Sequence, residues 1–109
     1  IRESAVIDVI EALTESGFMV TVFDPKARSE GEHYFQGNSD VEFSDSAYEC
    51  TNDASLLIVA TEWSVFLEPN YKDLESRMYN AAIFDCKNIY SPEVVIQNKI
   101  DYLSIGNNV

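Results

Sequence analysis

The chain has 109 residues, 46% of them hydrophobic and 24% charged, a balance that fits one globular domain and not a disordered segment. Seven Lys and Arg stand against 19 Asp and Glu, for a formal net charge of -12; this field repels nucleic-acid phosphates and anionic membranes, although one cation can still hold a small anion locally. No apolar run approaches the roughly 20 residues that span a bilayer, and no basic-apolar-small leader opens the chain, so a soluble domain is expected.

Val6, Ile7, Val9, Ile10 and Leu13 fall at spacings that line one face of a helix, with Ser4 as N-cap and Gly17 as C-cap. "FMVTVFDP" follows, an apolar and β-branched run that predicts a strand buried on both faces; it stops at Asp24-Pro25 because proline lacks the ladder donor. Residues 26–43 are polar, hold two glycines and show no period, so they read as a long loop. "SDSAYECTNDA" reads as a short helix capped by Ser44 or Asp45, and "SLLIVAT" as the second buried strand. "NYKDLESRMY" predicts a helix opened by Asn70, with Leu74 and Met78 one turn apart, and "AAIFD" a third strand. Ser91-Pro92 supplies an N-cap and a proline at the first helical position for "PEVVIQNK", and "DYLSIG" is the last strand.

Continuous apolar strands alternating with amphipathic helices predict an α/β fold, an open parallel sheet with helices on both faces. In such sheets ligands bind at the carboxyl ends of the strands, which directs attention to "FDPKAR", "TEWSVF" and "FDCKNIYSP". All three follow a predicted strand directly with polar or charged residues.

Neither G-x-G-x-x-G nor the G-x-x-x-x-G-K-[ST] pattern occurs, so nothing in the chain is built to cradle a dinucleotide pyrophosphate. His33 is the sole histidine and reads as a solvated loop residue. No nucleophile with a partnered base can be assembled around it, and no His/Cys cluster suggests a metal. Cys50 and Cys86 lack zinc spacing and read as reduced thiols. Trp63 needs a partner for its indole N–H and either caps the core edge or shapes a ligand or subunit contact. Lys87 follows the third strand, where a cation meets an anionic ligand. Arg2 precedes the first helix, where a cation opposes the helix dipole and favours an anionic partner.

Taken together, "RES" at 2–4, "VFDPKA" at 22–27, "ATEWSVF" at 60–66, "IFDCKNIYSP" at 83–92 and "DYLSIG" at 101–106 resemble the C-terminal domain of the UDP-glucose/GDP-mannose dehydrogenase family. The likeness runs over nearly the whole chain. It implies a cytoplasmic enzyme that oxidises UDP-glucose to UDP-glucuronate in two NAD-dependent steps through a catalytic cysteine. It also implies that other domains of the same polypeptide hold the NAD and that cysteine, while residues 1–109 bind the UDP-sugar. On this resemblance Lys87, Arg2, Asn88 and Asp85 bind substrate. Thr61, Glu62 and Trp63 line the site or a subunit contact of a homodimer or higher oligomer. No catalytic residue and no metal ligand is expected in the segment.

Two departures from the family pattern stand out. The usual Phe-Asp-Gly-Arg-Asn is here Phe84-Asp85-Cys86-Lys87-Asn88. Lys87 keeps the cation without the bidentate fork of arginine, and Cys86 requires either a backbone that accepts a Cβ or a shifted loop. The family also carries a central apolar strand and a Lys-containing loop just before "RES"; this chain begins after them, which is expected of a piece of a longer enzyme. The rival reading is a non-catalytic doubly wound interaction module anchored by Trp63 and Tyr71.

Overall fold

A computed structural model of the chain describes residues 4–26, 28–60 and 67–104. The chain divides into two units, Ile1–Cys50 and Thr51–Val109. In the first, α1 (Ser4–Glu15) leads into β1 (Val20–Val22), α2 (Arg28–Tyr34) and β2 (Val41–Phe43), with β1 and β2 paired in parallel. In the second, β3 (Leu57–Val59), α3 (Tyr71–Arg77), β4 (Ala82–Asp85), α4 (Pro92–Gln97) and β5 (Asp101–Ser104) build a parallel sheet of order β3-β4-β5. Parallel sheets flanked by helices make this an open α/β, Rossmann-like fold, as the strand and helix alternation predicts. Among the described residues no helix is long and apolar enough to cross a membrane.

The end of α1 shows how local chemistry sets the elements. Gly17 takes a φ of 95°, its N–H donates to Thr14 O and the N–H of Phe18 reaches back to Leu13 O (3.0 Å). That closure is a Schellman motif, and the left-handed residue it needs falls on a glycine. Because Phe18 is spent on the cap, the strand starts only at Val20. Phe18 and Met19 stand exposed, and β1 is half-buried with Thr21 facing solvent. The expected strand buried on both faces is thus a three-residue strand with a wet side. Ile7 and Ile10 are buried from α1 and pack with Phe35, Val20, Val22, Val41 and Phe43, whereas Val9 is exposed.

The long loop expected at 26–43 instead holds α2 and β2. Arg28 fastens the start of α2: its Nε donates to Glu32 Oε2 (3.0 Å), and its Nη1 donates to Asp45 beyond β2. Tyr34 Oη donates to Glu11 Oε2 (2.8 Å) and joins α2 to α1. Gly31 is the buried residue of α2, and a Cβ there would come within 2.7 Å of the Phe43 ring, so helix and strand approach as closely as a bare backbone permits.

The helix expected over "SDSAYECTNDA" is only a 3-10 turn at Glu49–Thr51. Ser46 Oγ, not Ser44 or Asp45, accepts from the Glu49 N–H (3.2 Å), while Ser44 Oγ accepts from Ser46 N–H; these local bonds compete with a continuing helix.

In the second unit Asn70 caps α3 as predicted, its Oδ1 accepting from Asp73 N–H at 3.0 Å. Ser91 holds the N-cap position of α4 before Pro92, but its hydroxyl donates to Glu93 Oε1 and makes no side-chain cap. Leu57, Val59, Leu74, Met78, Ala82, Ile83, Val95 and Ile100 are buried. At the far end of α4, Lys99 N–H donates to Ile96 O and Ile100 N–H to Val95 O, again a Schellman closure, with Lys99 at a φ of 66°. A lysine pays a steric penalty there that glycine avoids. Lys99→Gly is therefore expected to stabilise the protein by about 0.5 to 1 kcal/mol. A urea midpoint that falls would refute this account of the cap.

Candidate functional site

The carboxyl ends of β3 and β4 lie side by side, because β3 and β4 pair in parallel with Val59 opposite Asp85. The ladder runs one step past the strand: Cys86 N–H donates to Val59 O at 2.9 Å. The loop 86–91 therefore leaves the sheet next to the point where the chain runs from Val59 through Ala60 toward Thr61. Two of the three loops singled out in the sequence thus start from adjacent strand ends. Thr61, Glu62 and Trp63 themselves, like Arg2, lie outside the described residues. "FDPKAR" belongs to the first unit, where Lys26 N–H donates to Asp24 Oδ1 (3.1 Å) in a tight turn before α2.

Asp85 organises the 86–91 loop. It ends β4 with 0% exposure, a carboxylate taken wholly out of water. Burying a carboxylate is costly unless hydrogen bonds replace its hydration, and three do so here. Lys87 N–H donates to Oδ1 (3.0 Å), Tyr90 N–H donates to Oδ2 (3.0 Å), and Tyr102 Oη on β5 donates to Oδ2 (2.8 Å). The carboxylate thus pins the loop at both ends and ties it to the neighbouring strand. The resemblance implies a substrate contact for Asp85; in this structure its buried side chain instead supports the loop from beneath.

Lys87 and Asn88 are exposed at the crest of the same loop. Asn88 takes a φ of 56°, the left-handed region that asparagine enters more readily than most residues. The left-handed position thus falls on Asn88, and Cys86 is not among the described residues with positive φ. The glycine usual at position 86 is dispensable here because this backbone accepts a Cβ, the first of the two alternatives its replacement posed.

The surroundings of both thiols favour the protonated form. Burial, then the nearby Asp85 charge, push the Cys86 thiol up, with Lys87 opposing; burial pushes Cys50 up to about 11. Both are free thiols, protonated at neutral pH. Burial and the bond to Asp85 likewise raise the Tyr102 phenol, which keeps it a donor to the carboxylate.

Among the described residues no group of three or more His, Cys, Asp or Glu could hold a metal ion. A shallow depression in the first unit, lined by Ile7, Ser29, Glu30, His33 and Tyr34, contains the lone histidine. His33 lies exposed on α2.

Sequence reasoning proposed Lys87 from its place after a strand and Asn88 from the family resemblance, both of them exposed on the same loop in the structure. It missed Tyr102 and Tyr90, because their role depends on the β4–β5 register, in which Ile83 faces Tyr102 and Asp85 faces Ser104.

Comparison with known proteins identifies the family. Residues 1–92 match the UDP-glucose/GDP-mannose dehydrogenase family, UDP binding domain. The chain is 30% identical over 105 residues to a UDP-glucose 6-dehydrogenase of Rhizobium meliloti (strain 1021), an alignment covering 96% of this chain and 23% of that protein. It is 28% identical over its whole length to a UDP-glucose 6-dehydrogenase of Rickettsia bellii (strain RML369-C), covering 25% of that protein. It is 27% identical over 97% of its length to a UDP-glucose 6-dehydrogenase of Pseudomonas aeruginosa, covering 24% of it. The chain thus spans about a quarter of the length of the curated relatives it matches. With a match over 92 of 109 residues, the chain belongs to the UDP-glucose/GDP-mannose dehydrogenase family, in the part that the family defines as its UDP binding domain.

Proposed function

We propose that residues 1–109 are the UDP-sugar-binding portion of an NAD-dependent UDP-glucose 6-dehydrogenase, which converts UDP-glucose to UDP-glucuronate by two successive oxidations. The observation that carries this reading is the Lys87–Asn88 crest, held by a buried Asp85 at the carboxyl end of β4 in a chain that matches a UDP binding domain. The exposed Lys87 ammonium meets a phosphate or sugar oxygen. Asn88 offers an amide that both donates and accepts. Arg2 orients the junction with the rest of the polypeptide. Thr61, Glu62 and Trp63 shape the same edge and serve subunit packing in a homodimer or higher oligomer. Exposed Leu67, just beyond them, is in keeping with such packing.

The residues here do not fit a dinucleotide cofactor. The loops that follow β1, β2, β3 and β4 contain no glycine, so no bare backbone is offered to a pyrophosphate. The two raised, protonated thiols do not suit covalent catalysis either. NAD and the oxidative chemistry therefore belong to other parts of the polypeptide, and this segment by itself is inactive. We place the enzyme in the cytoplasm, in keeping with its free thiols.

Thermal shift with UDP, UDP-glucose and GDP-mannose tests the reading: ligands that bind the native state raise the melting temperature. Lys87→Ala is expected to weaken UDP by about 1 to 3 kcal/mol, the range of a charge-assisted contact. Calorimetry with equal UDP affinity for the two proteins would remove Lys87 from the site. No thermal response to any nucleotide would favour an interaction module instead.

A further inference from the structure

The Tyr102 hydroxyl lies on a different strand from the Lys87–Asn88 crest, yet it donates to the carboxylate that also receives the Lys87 and Tyr90 amides. We infer that Tyr102 is a positioning residue for nucleotide-sugar binding: through Asp85 it locks the 86–91 loop in its ligand-ready shape, without touching the ligand.

Three features carry this inference. Among the described residues Asp85 has no ammonium or guanidinium partner, so the carboxylate depends on three donors, and of these three Tyr102 alone donates from its side chain. Tyr102 is fixed by the β4–β5 ladder, which places it opposite Ile83 and two residues from the strand end. The other two donors belong to the loop being held, so among the described residues β5 supplies that carboxylate's external anchor. A loop already in its bound shape loses less conformational freedom when the ligand arrives, and this raises affinity with no added contact. The reacting class is unchanged: a nucleoside diphosphate sugar at Lys87, the ligand of the reading above, on which this inference rests.

The test is a double-substitution cycle in the full-length protein, with UDP as the probe. Tyr102→Phe keeps the ring and removes the hydroxyl; it is expected to weaken UDP about three- to tenfold, less than the full effect of a hydrogen bond to a charged group because the hydroxyl reaches the ligand only through Asp85 and the loop. In a Lys87→Ala background the same change should alter affinity less than about twofold, because the loop no longer presents its cation. Amide exchange in the ligand-free protein should quicken at Lys87 and Tyr90 in Tyr102→Phe. Equal losses in both backgrounds, or unchanged affinity with unchanged exchange, would overturn the positioning role. Failure of the unsubstituted protein to bind UDP would instead overturn the ligand assignment, and faster exchange at Lys87 and Tyr90 would still report the latch. Tyr102→Leu, which cannot accept or donate, repeats the comparison if Phe repacks.

Discussion

Asp85→Ala is expected to lower the stability of the protein by about 3 to 5 kcal/mol, measured by urea unfolding followed through near-ultraviolet circular dichroism. Three donors lose their acceptor at once: the Lys87 and Tyr90 amides and the Tyr102 hydroxyl. A hydrogen bond to a charged group contributes about 1.5 to 3 kcal/mol, so a simple sum would exceed the expected loss. The sum is reduced because Lys87 is exposed and water can reach its amide, while Tyr90 is buried and its amide has no such recourse. Asp85→Asn separates charge from shape. It keeps one oxygen as an acceptor but turns an NH2 toward a donor, so it should cost roughly half as much. Against a total stability of about 5 to 15 kcal/mol for a domain of this size, that loss is a large fraction of the whole. A loss below about 1 kcal/mol would mean that the carboxylate is not the organiser of the loop.

The sequence made the second sheet legible because β3 and β4 are short apolar runs ended by chemically distinctive residues. Parallel strands buried by helices need no alternating pattern, and "LIV" and "AIFD" have none. Asn70 and Pro92 likewise announce the helices they open. In the first unit the same method fails for a physical reason. The residue that α2 buries is Gly31, packed against Phe43, so the helix writes no hydrophobic period into its sequence. Its start is secured by Arg28 reaching Glu32 and Asp45, the second of them 17 residues away, a pairing that no local window contains. β2 is three residues long with a polar centre, too short to show alternation. At the site the division is the same. Lys87 is legible from its position after a strand and Asn88 only through the family motif, whereas the Tyr102–Asp85 bond crosses 17 residues and exists only once the strands are in register.

The paired substitutions Ile83→Ala and Leu103→Ala separate burial from strand propensity within one sheet. Ile83 lies on the central strand β4, between Leu57 of β3 and Tyr102 of β5, with 0% exposure; Leu103 lies on the edge strand β5 with 57%. Both exchange a strong strand former for a weak one, so propensity alone predicts similar effects. Burial predicts otherwise. Ile83→Ala removes three carbons from a filled interior and should cost about 3 to 4 kcal/mol, while Leu103→Ala should cost under about 1 kcal/mol. Equal costs for the two would show that the outer face of β5 is covered by something further. The Ile83 result also bears on the ligand loop. Residues 83 and 85 are separated by one strand period and so point to the same face of β4. The packing that excludes water from Ile83 also leaves the Asp85 carboxylate reliant on Lys87, Tyr90 and Tyr102. A cavity at Ile83 should therefore quicken amide exchange at Lys87 and Tyr90, two residues far along the chain from Leu103, whose truncation should leave that exchange unchanged.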